Sequence, residues 1–184
     1  MRSGQTGPCD RYHLSCRTRI SLPVNTADRK RQRIGQAVAA QGAVATVLSQ
    51  PESIAWLLNI RGQDTESTPL PLSHAILRAD GSVDLFIDSL KLTPATRDHL
   101  GPSVTLHQPD QLGAALEALG ASGTRISIDP TGANEWIRLR LLAGGAEIIN
   151  EDDPCILPRA LKNDAERAGT IAAHNRDGAA LSRF

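Results

Sequence analysis

The chain has 184 residues, of which 40% are hydrophobic and 22% charged, with equal numbers of acidic and basic side chains. This composition is ordinary for a folded protein and is sufficient for one sizeable core. Aromatic residues make up only 3% of the chain, which argues against a stacking surface for single-stranded nucleic acid. No run approaches the roughly 18 apolar residues of a membrane helix. The three cysteines, Cys9, Cys16 and Cys155, form no CxxC pair, so the sequence indicates neither structural zinc nor disulfides and suits a cytoplasmic location.

The N-terminal region is strongly basic. Residues 1–33 contain eight Lys or Arg side chains and two acidic ones, a net charge of +6 that the remaining residues balance with −6. Residues 1–25 mix Gly, Pro, Ser and Arg without apolar periodicity, and we expect a disordered basic arm there. We interpret the basic residues that follow as the solvated outer face of a first helix, with a nucleic-acid-binding arm or a targeting peptide as the alternatives.

Beyond residue 25, the sequence predicts alternating helices and strands. Thr26 and Thr93 are helix-capping residues, and Ser49 with Glu52 has the spacing of a capping box. The Asp80-Gly81 pair predicts a hairpin with a type I′ turn. In chain order, the predicted elements are a helix over 26–41, a strand over 43–48, a helix over 54–58, strands over 70–77 and 83–87, a helix over 93–100, a strand over 104–107, a helix over 109–119, a strand over 125–128, a helix over 133–144 and a strand over 146–149.

Six strands separated mostly by helices predict an α/β fold with a mixed sheet flanked by helices, in which only the hairpin strands must be antiparallel. Residues 151–162 predict an extended segment at a domain boundary between the domain over 26–150 and the residues from 151 to 184. A helix over 163–184 follows, with Asn163 and Glu166 at capping-box spacing. No C-terminal glycine, proline or polar tail ends this helix at Phe184, so we expect the chain to be the front part of a longer protein.

No catalytic motif is evident: the sequence contains no P-loop, nucleophile elbow, dinucleotide-binding turn or zincin helix. Asp129, at a strand end before Pro130, has the usual position of a ligand site in α/β folds, although helix capping is the interpretation we favour. Possible metal-ligand sets lack diagnostic spacing, and we interpret them as surface polar residues. These sets are His107 with Asp110, Asp84 with Asp88, and Asp152 and Asp153 with His174.

Trp56 and Arg61 form a more unusual pair. Trp56 is one of two tryptophans in an aromatic-poor chain, and Arg61 lies just after the short helix that carries it. Either Trp56 is a core residue and Arg61 a surface one, or the Arg61 region belongs to a domain or substrate interface, since loops often carry such functions. We expect Trp56 to be buried against the sheet and to anchor the chain at Arg61, whereas a surface position would favour a substrate or partner contact.

Several ordered segments resemble the three-domain Xaa-Pro aminopeptidases. They are SIAWLLNIRG at 53–62, the stretch 69–76, VDLFID at 83–88, LPRALKN at 157–163 and AAHNRDGAA at 172–180. The resemblance covers residues 26–184 and excludes the first 25. It implies a creatinase N-terminal-like domain, the second of two in such enzymes, followed by the first helix of a pita-bread catalytic domain that is truncated here.

The resemblance also implies what this chain lacks. In that family an Asp, Asp, His, Glu, Glu set holds two divalent metal ions, with manganese expected, and all five positions would lie beyond Phe184. We therefore expect no catalytic residue and no metal ligand in this chain, which would shape access to the active site and contribute to domain or dimer contacts. The candidate substrate or interface residues are Trp56, Asn59, Arg61 and His74.

The implied parent enzyme is cytoplasmic and releases the N-terminal residue from peptides with proline in second position. The expected partners of the parent are such peptides and a second copy of itself. The expected partner of this chain is the absent catalytic domain. The alternative is a stand-alone creatinase-like binding module that recruits a protein or nucleic acid through its basic arm.

Overall fold

The computed structural model describes residues 26–184. The expected disordered arm over 1–25, with Cys9 and Cys16, lies outside these residues. The described elements are α1 (Ala27–Ala40), β1 (Ala45–Leu48), α2 (Pro51–Leu58), β2 (His74–Arg78), β3 (Val83–Phe86), α3 (Pro94–Leu100), β4 (Val104–His107), α4 (Leu112–Gly120), β5 (Arg125–Ile128), α5 (Glu135–Gly144), β6 (Glu147–Asn150), α6 (Ile156–Ala160) and α7 (Asp164–Arg183).

Side-chain caps begin several of these helices as the sequence predicts. Thr26, Thr93 and Asn163 each accept a hydrogen bond from the backbone N–H three residues further on. Glu166 completes a capping box at α7 by accepting from the N–H of Asn163 at 2.9 Å. Each cap satisfies a backbone donor that has no partner inside its helix, which is why these starts could be read from sequence.

The capping box expected at Ser49 and Glu52 is wrong. The Ser49 hydroxyl instead donates to the carbonyl of Gly132, at 2.8 Å, and so ties the end of β1 to the loop after β5. Gln50 occupies the cap position of α2 without a side-chain bond, and Pro51 provides the first helical residue. Proline needs no N–H partner there, so α2 begins without the missing cap.

The six strands form one sheet in the order β4-β3-β2-β1-β5-β6, which confirms the predicted mixed α/β fold. β2 is antiparallel to both β1 and β3, whereas β3–β4, β1–β5 and β5–β6 are parallel pairs. Five strands therefore point the same way, their carboxyl ends share one edge, and β2 begins at that edge.

The hairpin between β2 and β3 forms, but its turn is not type I′. That turn requires positive φ at both central residues, and only Gly81 has one, at 84°. The N–H of Gly81 donates to the carbonyl of Arg78 and the N–H of Arg78 to the carbonyl of Ser82, both at 2.9 Å. The connection is thus a three-residue loop in which Gly81 is the bulge residue.

Two predicted extended segments differ from the structure. β2 begins at His74 rather than at residue 70, because the chain before it pairs with its own loop: Gly62 donates to the carbonyl of Pro69 and Asp64 to that of Leu70. Pro71 also removes a donor from this stretch. The segment over 151–162, expected to be extended, contains the short helix α6.

Helices cover the sheet on both sides and enclose two apolar cores. The larger core lies under α1, α2 and α3 and includes Ile34, Leu57 and Leu85. The smaller core lies under α4 and α5 and includes Phe86 and Leu116. Neighbouring residues of a strand point to opposite faces, which is why Leu85 and Phe86 of β3 belong to different cores. Within residues 26–184, no helix combines the length and apolar character needed to cross a membrane.

Candidate functional site

The C-terminus of α2 fixes the position of the residues that the sequence singled out. Asn59 caps the helix in the left-handed conformation, with φ 53° and ψ 39°. The N–H of Ile60 donates to the carbonyl of Ala55, and the N–H of Asn59 to that of Trp56. This pair of bonds is a Schellman motif, in which the residue after the left-handed position is typically apolar. Ile60 is buried in the larger core accordingly.

Lys30 of α1 is bound to this turn. Its Nζ atom donates to the carbonyl of Trp56 at 2.8 Å and to Oδ1 of Asn59 at 2.6 Å. The same atom lies 4.5 Å from the centroid of the Trp56 ring, in cation–π geometry. Only 8% of Lys30 is exposed, so a cation is held in a largely dry site by two oxygen acceptors and an aromatic face.

Burial lowers the pKa of Lys30 from 10.5 to about 8, because desolvation penalises the charged amine. The nearby charge of Arg61 lowers this pKa further, whereas Glu166 and Cys155 raise it. Lys30 is therefore mostly protonated at pH 7.

The expectation that the basic residues of α1 form a solvated face is wrong for Lys30 and Arg31, which are both buried. Arg31 forms an ion pair with Asp28 and donates to the carbonyl of Leu100 at 3.4 Å. Lys30, Ile34 and Val38 recur every four residues on one helix face. That spacing indicates that Lys30 lies on the buried face of α1. Because a charged side chain argues against burial, the sequence analysis did not identify it.

The structure brings three of the four candidate residues together. Trp56 is half-buried and packs against the larger core, and Asn59 shares Lys30 with it. Arg61 is also half-buried; it donates to the carbonyl of Ile60 at 3.0 Å and forms no ion pair with any residue from 26 to 184. Two of the predicted residues thus contact one unpredicted lysine, and Arg61 follows two positions after Asn59.

His74 is not part of this cluster. It begins β2 opposite Phe86, on the sheet face that α4 and α5 cover, whereas Lys30 belongs to the other side. His74 is half-buried, and desolvation lowers the pKa of its imidazole.

The loop after Arg61 is held close to the body of the domain. A Cβ atom on Gly62 would lie 2.7 Å from the backbone nitrogen of Pro71, so this approach requires glycine. Asp64 forms a 2.6 Å ion pair with Lys91 and accepts from the N–H of Leu72. The residues from 59 to 64 therefore have a defined path rather than a loose one.

The candidate metal-ligand sets do not form a metal site within residues 26–184, where no three His, Cys, Asp or Glu side chains converge. Asp84 instead pairs with Arg78 at 2.6 Å and with Nε2 of His107 at 3.2 Å.

The helix-capping interpretation of Asp129 is also wrong. Its Oδ1 accepts from the backbone N–H and the hydroxyl of Thr131, and Asn134 caps α5. Burial would raise the pKa of Asp129, but these bonds, with the N–H groups of Gly132 and Asp153, lower it.

Comparison with known proteins defines the class. Residues 19–166 match the Creatinase/Prolidase N-terminal domain family, and the chain belongs to that family. It is 37% identical over 152 residues to the probable Xaa-Pro aminopeptidase P of Aspergillus niger, covering 77% of this chain and 24% of that protein. It is 30% identical over 158 residues to Xaa-Pro aminopeptidase 1 of Dictyostelium discoideum, covering 86% of this chain and 25% of that protein.

Solved structures agree with this assignment. An X-prolyl aminopeptidase from Caenorhabditis elegans, described as a cytosolic enzyme with a di-nuclear active site, superposes with a TM-score of 0.78 at 26% identity, over 87% of this chain and 26% of that one. A Xaa-Pro dipeptidase from Bacillus anthracis shares the fold alone, with a TM-score of 0.56 at 16% identity, over 76% of this chain and 37% of that one. The chain spans about a quarter of the length of the curated relatives named above.

Proposed function

We propose that the chain is the non-catalytic N-terminal portion of a Xaa-Pro aminopeptidase. The parent enzyme would hydrolyse the N-terminal residue from peptides with proline in second position, with two divalent metal ions, manganese being the expected metal, held by residues outside 26–184. The observation that carries this proposal is that the same segment forms about a quarter of the Xaa-Pro aminopeptidase relatives. The cytosolic C. elegans neighbour supports a cytoplasmic location for the parent.

We divide the chain into a creatinase N-terminal-like domain over 26–150 and a connection with the first catalytic-domain helix over 151–184. The support comes from α7, none of whose residues is buried. Its N-terminus is locally capped, but its apolar side chains lie in solvent. The exposed large apolar residues of the connection and α7 are Ile156, Leu157, Leu161, Ile171, Leu181 and Phe184.

These exposed side chains form the surface that we propose for the catalytic domain. Contiguous exposed apolar patches mark interaction sites, and six of the large exposed apolar side chains lie between residues 156 and 184. Helix α2, which leads to Asn59 and Arg61, is joined to the connection where Arg159 donates to the hydroxyl of Ser53 at 3.3 Å. The half-buried guanidinium of Arg61 can form an ion pair with a carboxylate of the neighbouring domain. Through these contacts the chain would shape access to the active site, and dimer contacts of the parent belong to the same proposal.

A binding experiment with the catalytic portion of the A. niger relative tests this function. The chain is titrated with that portion, produced separately, and compared with Leu161→Asp, which places a charge on the proposed surface. Leu90→Asp is the matched control, because Leu90 is also exposed, 77% against 66% for Leu161, but follows β3. We expect binding that Leu161→Asp weakens at least tenfold and Leu90→Asp leaves unchanged. Absence of binding, or equal loss in both variants, would contradict the proposal.

The second candidate is a binding module that uses the net charge of +6 in residues 1–33. Two of those eight cations, Lys30 and Arg31, are engaged in the fold, which leaves six, Arg33 among them, for a nucleic acid or protein. Binding of duplex or single-stranded nucleic acid near physiological salt, without binding of the catalytic portion, would favour this module.

A further inference from the structure

We infer that Lys30 is a positioning residue that sets the path of the Arg61 loop, defined as residues 59–64, by binding Asn59 in its left-handed conformation. The inference rests on the proposed function in one respect: the Arg61 loop is part of the surface proposed for the neighbouring domain. The residues that carry it lie within this chain.

Residue 59 occupies the left-handed position at the end of α2. A helix that ends in a Schellman motif usually has glycine at the left-handed position, because a side chain there is strained. This chain has asparagine, with φ 53°. Asparagine tolerates that conformation better than most residues and adds a side-chain oxygen that glycine lacks. Oδ1 of Asn59 is 2.6 Å from Nζ of Lys30, so the residue that replaces glycine here provides an acceptor for the lysine.

The ammonium group of Lys30 lies at the C-terminal end of α2. The C-terminal carbonyls of a helix carry partial negative charge, and a cation placed on them is stabilising. Lys30 donates to one such carbonyl, that of Trp56, while its ammonium lies over the Trp56 ring. One buried cation thus joins α1, the last turn of α2 and the first residue of the loop.

Two backbone hydrogen bonds lie in the loop that follows this turn. The N–H groups of Gly62 and Asp64 donate to the carbonyls of Pro69 and Leu70, at 3.2 and 3.3 Å. These two bonds pair residues 62–64 with residues 69–70, which lead back to β2. They require the loop to leave Asn59 along its present path. Exchange of the Gly62 and Asp64 amides therefore reports whether Lys30 holds the loop in this path.

A purely structural lysine would behave differently. If Lys30 only contributed to global stability, its loss would affect all amides that exchange through global unfolding to the same extent. A positioning role predicts a local effect in the Arg61 loop that is shared with Asn59 and absent from β5.

The test is amide exchange in the 184-residue chain, its Lys30→Met and Asn59→Gly variants, and the double variant. Methionine retains the apolar stem of Lys30 without the charge, and glycine retains the left-handed backbone without the side-chain oxygen. We expect each single variant to accelerate exchange of the Gly62 and Asp64 amides at least tenfold relative to the β5 amides. The double variant should add little to Lys30→Met, because that change already removes the bond to Asn59.

Unchanged exchange at Gly62 and Asp64 would overturn the inference, as would equal acceleration in β5 or independent effects that multiply in the double variant. Asn59→Gly decides the question if Lys30→Met does not fold, because glycine suits the native backbone at that position. Because the measurement needs no catalytic domain, its failure would leave the binding experiment above unaffected, and failure of that experiment would leave this one standing.

Discussion

Helices α2 and α7 are stabilised in opposite ways. α2 has eight residues, of which five are buried, and its last turn is bound to α1 through Lys30. α7 has 20 residues, none buried, and depends on its capping box and helical hydrogen bonds. Most helical stability in proteins comes from tertiary packing of one helix face rather than from intrinsic propensity. The comparison indicates that α2 is held by the core of this domain, whereas within residues 26–184 no residue of α7 is buried.

The largest difference between the two regions should appear in core truncation. Leu58→Ala in α2 should lower the free energy of unfolding by about 2–5 kcal/mol, because a side chain with 0% exposure leaves a cavity. Leu181→Ala in α7, where the side chain is 78% exposed, should change it by less than about 0.5 kcal/mol. Denaturant unfolding of both variants checks this, and similar losses would mean that α7 is packed in solution.

The pH dependence of stability should report Lys30. Its folded pKa of about 8 lies below the ordinary value of 10.5, so between these values the unfolded chain binds a proton that the folded chain has released. Stability contributed by this group should therefore rise with pH across that window. The measured quantity is the difference in unfolding free energy between the wild-type chain and Lys30→Met from pH 7 to 10. A flat difference would place Lys30 in solvent, and a declining one would mean that the fold raises its pKa instead of lowering it.

Removal of the α7 cap should act only on α7. Asn163→Ala removes the acceptor for the N–H of Glu166 and should destabilise the helix by about 1 kcal/mol. Loss of helical circular dichroism without a change in the β5 amides would agree with this. Asn175→Ala, an exposed mid-helix change, is the control and should preserve or raise helicity. A drop in the stability of the whole domain would show that α7 is coupled to the sheet.

The glycines of α7 should respond to alanine in the favourable direction. A Cβ on Gly169 or Gly178 would meet nothing within 4 Å, so each change should stabilise the helix by up to about 1 kcal/mol. At Gly144 in α5 the Cβ would lie 2.1 Å from the carbonyl oxygen of Glu117, so Gly144→Ala should be destabilising. Thermal unfolding followed by circular dichroism separates the two signs. If Gly169→Ala weakens binding of the catalytic portion, the small residue serves close packing in the complex.

The sequence predicted well what is determined locally. The caps at Thr26, Thr93 and Asn163 need only a side-chain oxygen three residues before a free N–H. The order of helices and strands followed from periodicity, and the mixed sheet from their alternation.

Predictions that depended on distant partners were less accurate. The Ser49 hydroxyl bonds Gly132, 83 positions away, rather than its own helix. Lys30 was assigned to solvent because its partners, Trp56 and Asn59, lie 26 and 29 positions away. For the same reason the candidate site was identified through Trp56, Asn59 and Arg61 but not through the residue that joins them. His74 was named because it lies in the stretch 69–76 that resembles the aminopeptidases. Side chains alternate between the two faces of a strand, and His74, opposite Phe86, lies on the other face of the sheet.

The most direct test of the account is amide exchange across the chain, alone and with the catalytic portion of the A. niger relative. Alone, residues 170–183 of α7 should exchange much faster than Arg125–Ile128 of β5, because no side chain of α7 is buried. With the partner present, α7 should gain protection while β5 is unchanged. Protection of α7 equal to that of β5 in the chain alone would mean that the helix packs on this domain, and it would contradict the central claim.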